Sequence, residues 1–422
     1  MKLLIHTIHI LRRHLRSNAW LLCELFVVFL VLWYVCDSLG CLVFQRLKPL
    51  GMDIDHVYTL SIVRTAPDRS DAPPEASQCF AILRRLQSLP EVECAALCLA
   101  SLPMSGTNVH EPVYANDSVA FTLQQILVTD RYLDVFRIGQ TPEGAFASMP
   151  AQGTKDLMLS VAAYDLMARY VPGFDLRTPL RRSPVDTTLL SRQHGTVGPL
   201  RTGRYESDAY NLYARMDEHL ALAFWPREVF EIVFRLRPAA DVPGFRQRFV
   251  DEIAPRLDQP SLQVADAIPY AAMQHSYEMR TGRLDEANSR LLVALFLLVN
   301  VFLALAGTFW YRTTRRRAEL ALRLSLGSTR RAVFGLLLCE ALVLLALAAL
   351  PAALVCLNVG LAESSIGTTQ LVATWPVPFG PVRFLLGVAV TWLLMALVVV
   401  LGVWLPARRA MRLQPAEALH ED

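Results

Sequence analysis

A helix-spaced set of charges and two carboxylates set in apolar runs are the residues of this chain best suited to act. A helix over 315–326 puts Glu319 and Arg323 four residues apart with the acid first, the order that favours an ion pair, and Arg317 precedes them. Gly327 suits the stop of that helix, and Ser328 or Thr329 the cap of the next. Such residues build a short elbow or, on the plainer reading, a basic turn that anchors the chain at the membrane surface; they break no bonds. Glu24 and Glu340 stand among Leu, Val, Phe and Ala. Hydrocarbon exposure is costly for a carboxylate, so each is expected at a helix interface, beside an aqueous cavity, or at headgroup depth near its run's end.

Bond-making chemistry has little to draw on. A phosphate-cradling loop needs glycines ahead of a lysine, and Lys2, Lys48 and Lys155, the chain's lysines, have no such context. The 9 histidines include no HExxH helix and no tight Cys/His cluster of zinc spacing, and no GxSxG elbow marks a nucleophile. No catalytic residue and no metal site is therefore expected. His110, Glu111 and Asp117 read as a solvated polar loop rather than an active site. Of the 8 cysteines, Cys79, Cys94 and Cys98 fall in the polar middle of the chain. Packing of small apolar side chains is the first reading for these three, and a disulfide involving Cys79 is the second.

The elements that must carry these residues are four apolar runs, near 19–44, 289–311, 332–357 and 384–405, with a long polar stretch between the first two. About 20 apolar residues cross a bilayer as a helix, so four spans are expected. The run over 384–405 has no charge; that over 19–44 holds Glu24 and Asp37 and is the weakest. A cleaved signal is the competing reading there, but the run is longer than a usual signal core, and Ser38 stands where lipoprotein sites usually have Leu. Arginines crowd residues 12–16, 312–331 and 408–412, whereas 358–383 holds only Arg383, at its edge. The positive-inside rule then puts both termini and 312–331 in the cytoplasm and residues 45–285 outside. A hydrophobic content of 53% and net charge of +3 fit a membrane protein. Residues 45–285 sum to about four net negative charges, so the basic excess is a topology signal and no nucleic-acid partner is expected.

Within 45–285, two strand-helix-strand patterns stand at the ends. The first runs from His56–Val63 through a helix opened at Pro73–Glu75 to Glu93–Leu99; the second joins Val229–Leu236, Val242–Ile253 and Leu262–Ile268. They predict an α+β domain with one subdomain split between 50–140 and 227–275, and another over 141–226. Leu157–Tyr170 reads as a strand and short helix, and Arg177–Gly203 as an exposed loop or hairpin, the first place to look for a docking partner. The whole is an α-helical membrane protein with four transmembrane helices and a large α+β extracytoplasmic domain between spans 1 and 2. A helix over 1–18, a short outer loop over 358–383 and a tail over 406–422 complete it.

The stretch RAELALRLSLGSTRRAVFGLLLCEALVL resembles the cytoplasmic loop and third span of MacB/FtsX-type ABC transporter permeases. The pattern Arg-x-Glu, then Gly with a small residue, then an early span glutamate falls on Arg317, Glu319, Gly327, Ser328 and Glu340. Pro406–Ala410 with Leu413–Leu419 is similar to the family's closing signature, and Val128–Phe136 to a segment of its periplasmic domains. The resemblance implies a non-catalytic permease subunit of the bacterial inner membrane that pairs with a second permease chain, identical or not. A separate ABC ATPase subunit, holding ATP and Mg, would drive it through 312–331, with Glu319 and Arg323 shaping the contact. Mechanotransmission to the periplasmic domain would then export or extract a substrate, with a periplasmic partner protein. An FtsX-like regulator of a cell-envelope enzyme is the alternative. Glu24 and Glu340 would help hold or switch the dimer.

Overall fold

The computed structural model describes residues 15–65, 74–106, 109–116, 119–151, 155–183, 190–206, 208–224, 230–315, 322, 328–369 and 379–410. The chain divides into two units, Met1–Phe44 with Leu284–Asp422, and Gln45–Arg283. Helix α1 (Leu15–Leu47) precedes the second unit in sequence.

The second unit has strands β1 (Val57–Arg64), β2 (Val92–Leu99), β3 (Val109–Tyr114), β4 (Ala120–Val128), β5 (Gln140–Thr141), β6 (Asp156–Ser160), β7 (Leu180–Arg181), β8 (Leu190–Val197), β9 (Asn211–Arg215), β10 (Phe230–Leu236) and β11 (Leu262–Pro269). Its longer helices are α2 (Glu75–Gln87), α3 (Val161–Tyr170) and α4 (Tyr270–Arg280). A shorter helical run, Phe245–Arg248, Phe249–Ile253 and Ala254–Leu257, lies between β10 and β11.

Strands β11, β1, β10 and β2 neighbour one another in that order, all antiparallel. Each half is a strand-helix-strand pass, and β10 inserts between the ends of the first, the ferredoxin-like split βαβ order. Alternation along the strands builds two cores. Ala95, Leu97 and Leu99 of β2 join Phe80, Leu83 and Leu86 of α2 on one face. Cys94, Ala96 and Cys98 join Tyr132, Phe136 and Tyr270 on the other.

The remaining strands close on themselves. Pairings run from β4 to β3, β7, β8, β6 and β9, and β9 returns to β4 in parallel. The boundary drawn from sequence at residue 141 therefore falls in the wrong place. Strands β3 and β4 lie before it, yet their partners β7 and β9 lie after it; β4 also touches β2 through Cys98 and Leu99. One sheet thus runs through both parts. The stretch 177–203 is largely a hairpin of β7 and β8, its tip at 184–189 outside the described residues.

The first unit holds α1 with α5 (Arg283–Arg315), α6 (Arg330–Thr369) and α7 (Pro381–Ala410). Each contains a stretch long and apolar enough to cross a membrane: Ala19–Leu47, Asp285–Tyr311, Arg331–Ala362 and Pro381–Trp404. Leu21, Leu25, Phe29 and Leu32, three or four residues apart, turn one face of α1 into a shared core with Val301, Leu305, Leu344, Leu345, Met395 and Val399. Pro351 lies inside α6, which continues to Thr369. The loop expected from residue 358 therefore starts later than the apolar run suggested, because helix continues past the end of hydrophobicity.

Candidate functional site

Of the residues singled out around the loop, Arg317, Glu319, Arg323 and Gly327 lie outside the described residues. Ser328 is described and exposed. The cap of α6 is its neighbour Thr329, whose Oγ1 accepts the Ala332 N–H at 3.2 Å. At the other side of the loop, the Arg315 guanidinium lies 4.7 Å from the centre of the Tyr311 ring, near the end of α5.

Glu340 is buried on α6, one residue before Ala341 and three after Leu337, both core residues of the four helices. Glu24 is half-buried on α1. The structure thus gives Glu340 a protein environment and leaves Glu24 partly open; they sit on different helices.

One buried polar contact between these helices escaped the sequence reading. Asp37 of α1 and Arg383 of α7 form a two-point ion pair, with Nε donating to Oδ1 at 2.9 Å and an Nη to Oδ2. Their side chains are only 7% and 11% exposed, so the pair acts where water screens it little. Aromatic rings surround it: Arg383 lies 5.6 Å from the Phe379 ring centre, and Phe384 packs edge-on against Trp33. Gly387 allows the approach, since a Cβ there would stand 2.9 Å from Trp33 Nε1. Asp37 was legible as a charge interrupting the first run and Arg383 as the lone arginine of the outer loop. No periodicity links positions 346 residues apart.

Among the described residues no three His, Cys, Asp or Glu side chains lie where they would hold a metal ion. Cys79, Cys94 and Cys98 are free and buried. Burial pushes the Cys79 thiol up to about 12 and that of Cys94 up to about 11, so they are protonated and poor nucleophiles. Glu111 pairs with Arg182 at 2.7 Å, joining β3 to the residue after β7; Asp117 is outside the described residues.

One carboxylate of the outer domain is unusual. Glu231 of β10 lies beneath the turn 100–106, in which Ala100 and Met104 take positive φ of 44° and 65°. It accepts the Leu102 N–H at 3.3 Å, with Ser101 and Ser105 also donating to it. Burial outweighs these donors and pushes its carboxyl up to about 7.

Four helices of membrane-crossing length, with an α/β domain inserted in sequence between the first and the second, have the layout of a permease-type membrane protein. Residues 291–415, which span α5, α6 and α7, match the family model described as FtsX-like permease C-terminal. This bears out the resemblance to MacB/FtsX-type permeases read from the loop and tail. No curated protein matches the chain. Among solved structures, a domain of a permease protein from Porphyromonas gingivalis is similar at 14% identity, over 52% of this chain and 92% of that one, with a TM-score of 0.35. The periplasmic region of MacB from Actinobacillus actinomycetemcomitans is similar at 11% identity, over 56% of this chain and 98% of that one, with a TM-score of 0.33.

Proposed function

We propose that this chain is the membrane subunit of an ABC transporter, driven by a separate ATPase subunit that holds ATP and Mg. ATP-driven movement at the 312–331 loop passes through the four helices to the outer domain, which exports or extracts a substrate from the membrane or periplasm. The chain works in a pair with a second permease chain in the bacterial inner membrane, with both termini and the loop cytoplasmic and residues 45–285 periplasmic. The observation that carries this reading is the FtsX-like match over residues 291–415, a stretch that includes the basic loop. Burial of Glu340 beside core residues of the four helices fits a helix-packing role.

Affinity purification of the full chain from its native membrane, beside a Glu319→Arg variant, tests it. An ATPase subunit is expected to accompany the parent and to be lost from the variant, because the reversed charge removes the ion pair that the spacing predicts between Glu319 and Arg323. No ATPase with either, even after mild crosslinking, would sink the motor-coupled reading and favour the regulator of a cell-envelope enzyme.

A further inference from the structure

The outer domain contains two fully buried arginines among its largest enclosed side chains, Arg201 and Arg235, at 1% and 0% exposure. Both direct their donors to the backbone of the segment by which the chain comes into the domain. Arg201 donates to the Gln45 carbonyl at 2.9 Å and the Lys48 carbonyl at 2.7 Å. Its other N–H groups go to the carbonyls of Gly203, Arg204 and Glu206, so all five donors of the guanidinium are used on backbone. Arg235 donates to the carbonyls of Asp53 and Asp55 at 2.7 and 2.8 Å. Stability alone needs no buried arginine, since an apolar side chain of like volume serves as well or better. Two of them on one short segment mark a place that is held in a fixed geometry.

The Arg201 loop, residues 198–210, also grips the outgoing side. Tyr277 of α4, the helix that precedes α5 in sequence, donates its hydroxyl to Glu206, and Thr202 donates to the same carboxylate. Gly203 lies against the Tyr277 ring, where an added Cβ would be 3.3 Å from it. On the incoming side the approach is tighter: Gly51 has φ of +77°, and a Cβ there would overlap the Pro199 carbonyl at 1.7 Å. Lys48 and Asp208 add an ion pair at 2.8 Å. The loop joins β8 directly to β9, and β9 pairs with both β4 and β6. Displacement of either connecting segment therefore has a bonded route, through this loop, to β8 and β9.

We infer that the Arg201 loop is the node at which movement of the incoming segment, 45–50, and of α4 is combined and passed to β8 and β9. Arg201 and Glu206 are its positioning residues. The inference rests on the proposed function, because it needs a motor to supply the movement.

Hydrogen exchange on the full chain, purified with its ATPase subunit and compared with and without ATP, tests it. In the parent, ATP is expected to change exchange at 45–50 and 270–281 and also in β8 and β9. Tyr277→Phe and Glu206→Gln, mild changes that leave Arg201 in place, are expected to keep the change in the connecting segments and reduce it at least about threefold in the strands. Arg201→Lys, which keeps charge but loses the fork, should do the same if it folds. A purely structural role would alter exchange equally with and without ATP. Strands that respond fully in Tyr277→Phe and Glu206→Gln overturn the node alone. A parent with no ATP-dependent change anywhere overturns the motor-coupled reading, and the node with it.

Discussion

At the scale of single residues, Glu231 gives the outer domain a pH dependence whose sign can be worked out. Its carboxyl rises from the ordinary 4.5 to about 7 in the folded chain. Between those values the folded chain keeps a proton that the unfolded chain has released, so this group's contribution to stability falls as pH rises from about 4.5 to about 7. Cys98, opposite it across the β10–β2 pair, Tyr132 and Tyr270 lie near enough to feel its charge, and all three remain neutral because burial raises their own titrations well above the ordinary range. Glu231→Gln keeps an acceptor for the Leu102 N–H and removes the buried charge. It is expected to raise the thermal midpoint of the full chain in detergent at pH 8 by about 5 °C, for a gain on the order of 2 kcal/mol, and to leave it nearly unchanged at pH 5. Parallel pH curves for parent and variant would show that the carboxylate is not the group responsible.

At the scale of elements, what periodicity could reach was legible. Apolar runs marked the four long helices, and alternation in HVYTLSIV, ECAALCL and VFEIVFRL marked β1, β2 and β10, because burial on a sheet face imposes a two-residue repeat. Contacts made by one residue at a distance were not. Arg201 lies in a stretch rich in Arg, Pro, Thr and Gly, and nothing in its neighbours says that its donors turn to the carbonyls at 45 and 48. Strand β4 was missed because AFTLQQILV carries two glutamines at its centre, and Gln124 and Gln125 are buried there. The Asp37–Arg383 pair is the same kind of omission, and it fixes α1 to α7. Asp37→Asn should leave the Arg383 charge enclosed without its partner and cost about 3–5 kcal/mol, read as a fall in the thermal midpoint of the full chain in nanodiscs. Replacing both with leucine should recover most of that loss, since the expense lies in the orphaned charge. A double variant as unstable as the single one would mean that the two side chains matter for their packing and not for their pairing.

At the scale of the whole molecule, the charge distribution and the fold make one joint demand. The unit Gln45–Arg283 has its own sheet and cores, and residues 45–285 sum to about four net negative charges, while the arginines gather at 12–16, 312–331 and 408–412. The proposed topology, with the domain between the first two apolar helices on the far side and the 312–331 loop on the near side, follows the rule that arginines near helix ends resist translocation. Leu190, at the start of β8, is 43% exposed, and Thr314, near the end of α5, is also exposed. Cysteines placed at these positions, in a chain whose exposed Cys23 is replaced by serine, should report the two sides separately. A membrane-impermeant maleimide added to cells with a permeabilised outer membrane is expected to label Leu190→Cys at once and Thr314→Cys only after the inner membrane is opened. Labelling in the reverse order would put the basic loop outside, where no ATP-hydrolysing subunit can reach it. The loop's charge would then have to be explained by a ligand on that side, and the coupling proposed for Glu319 and Arg323 would lose its physical basis.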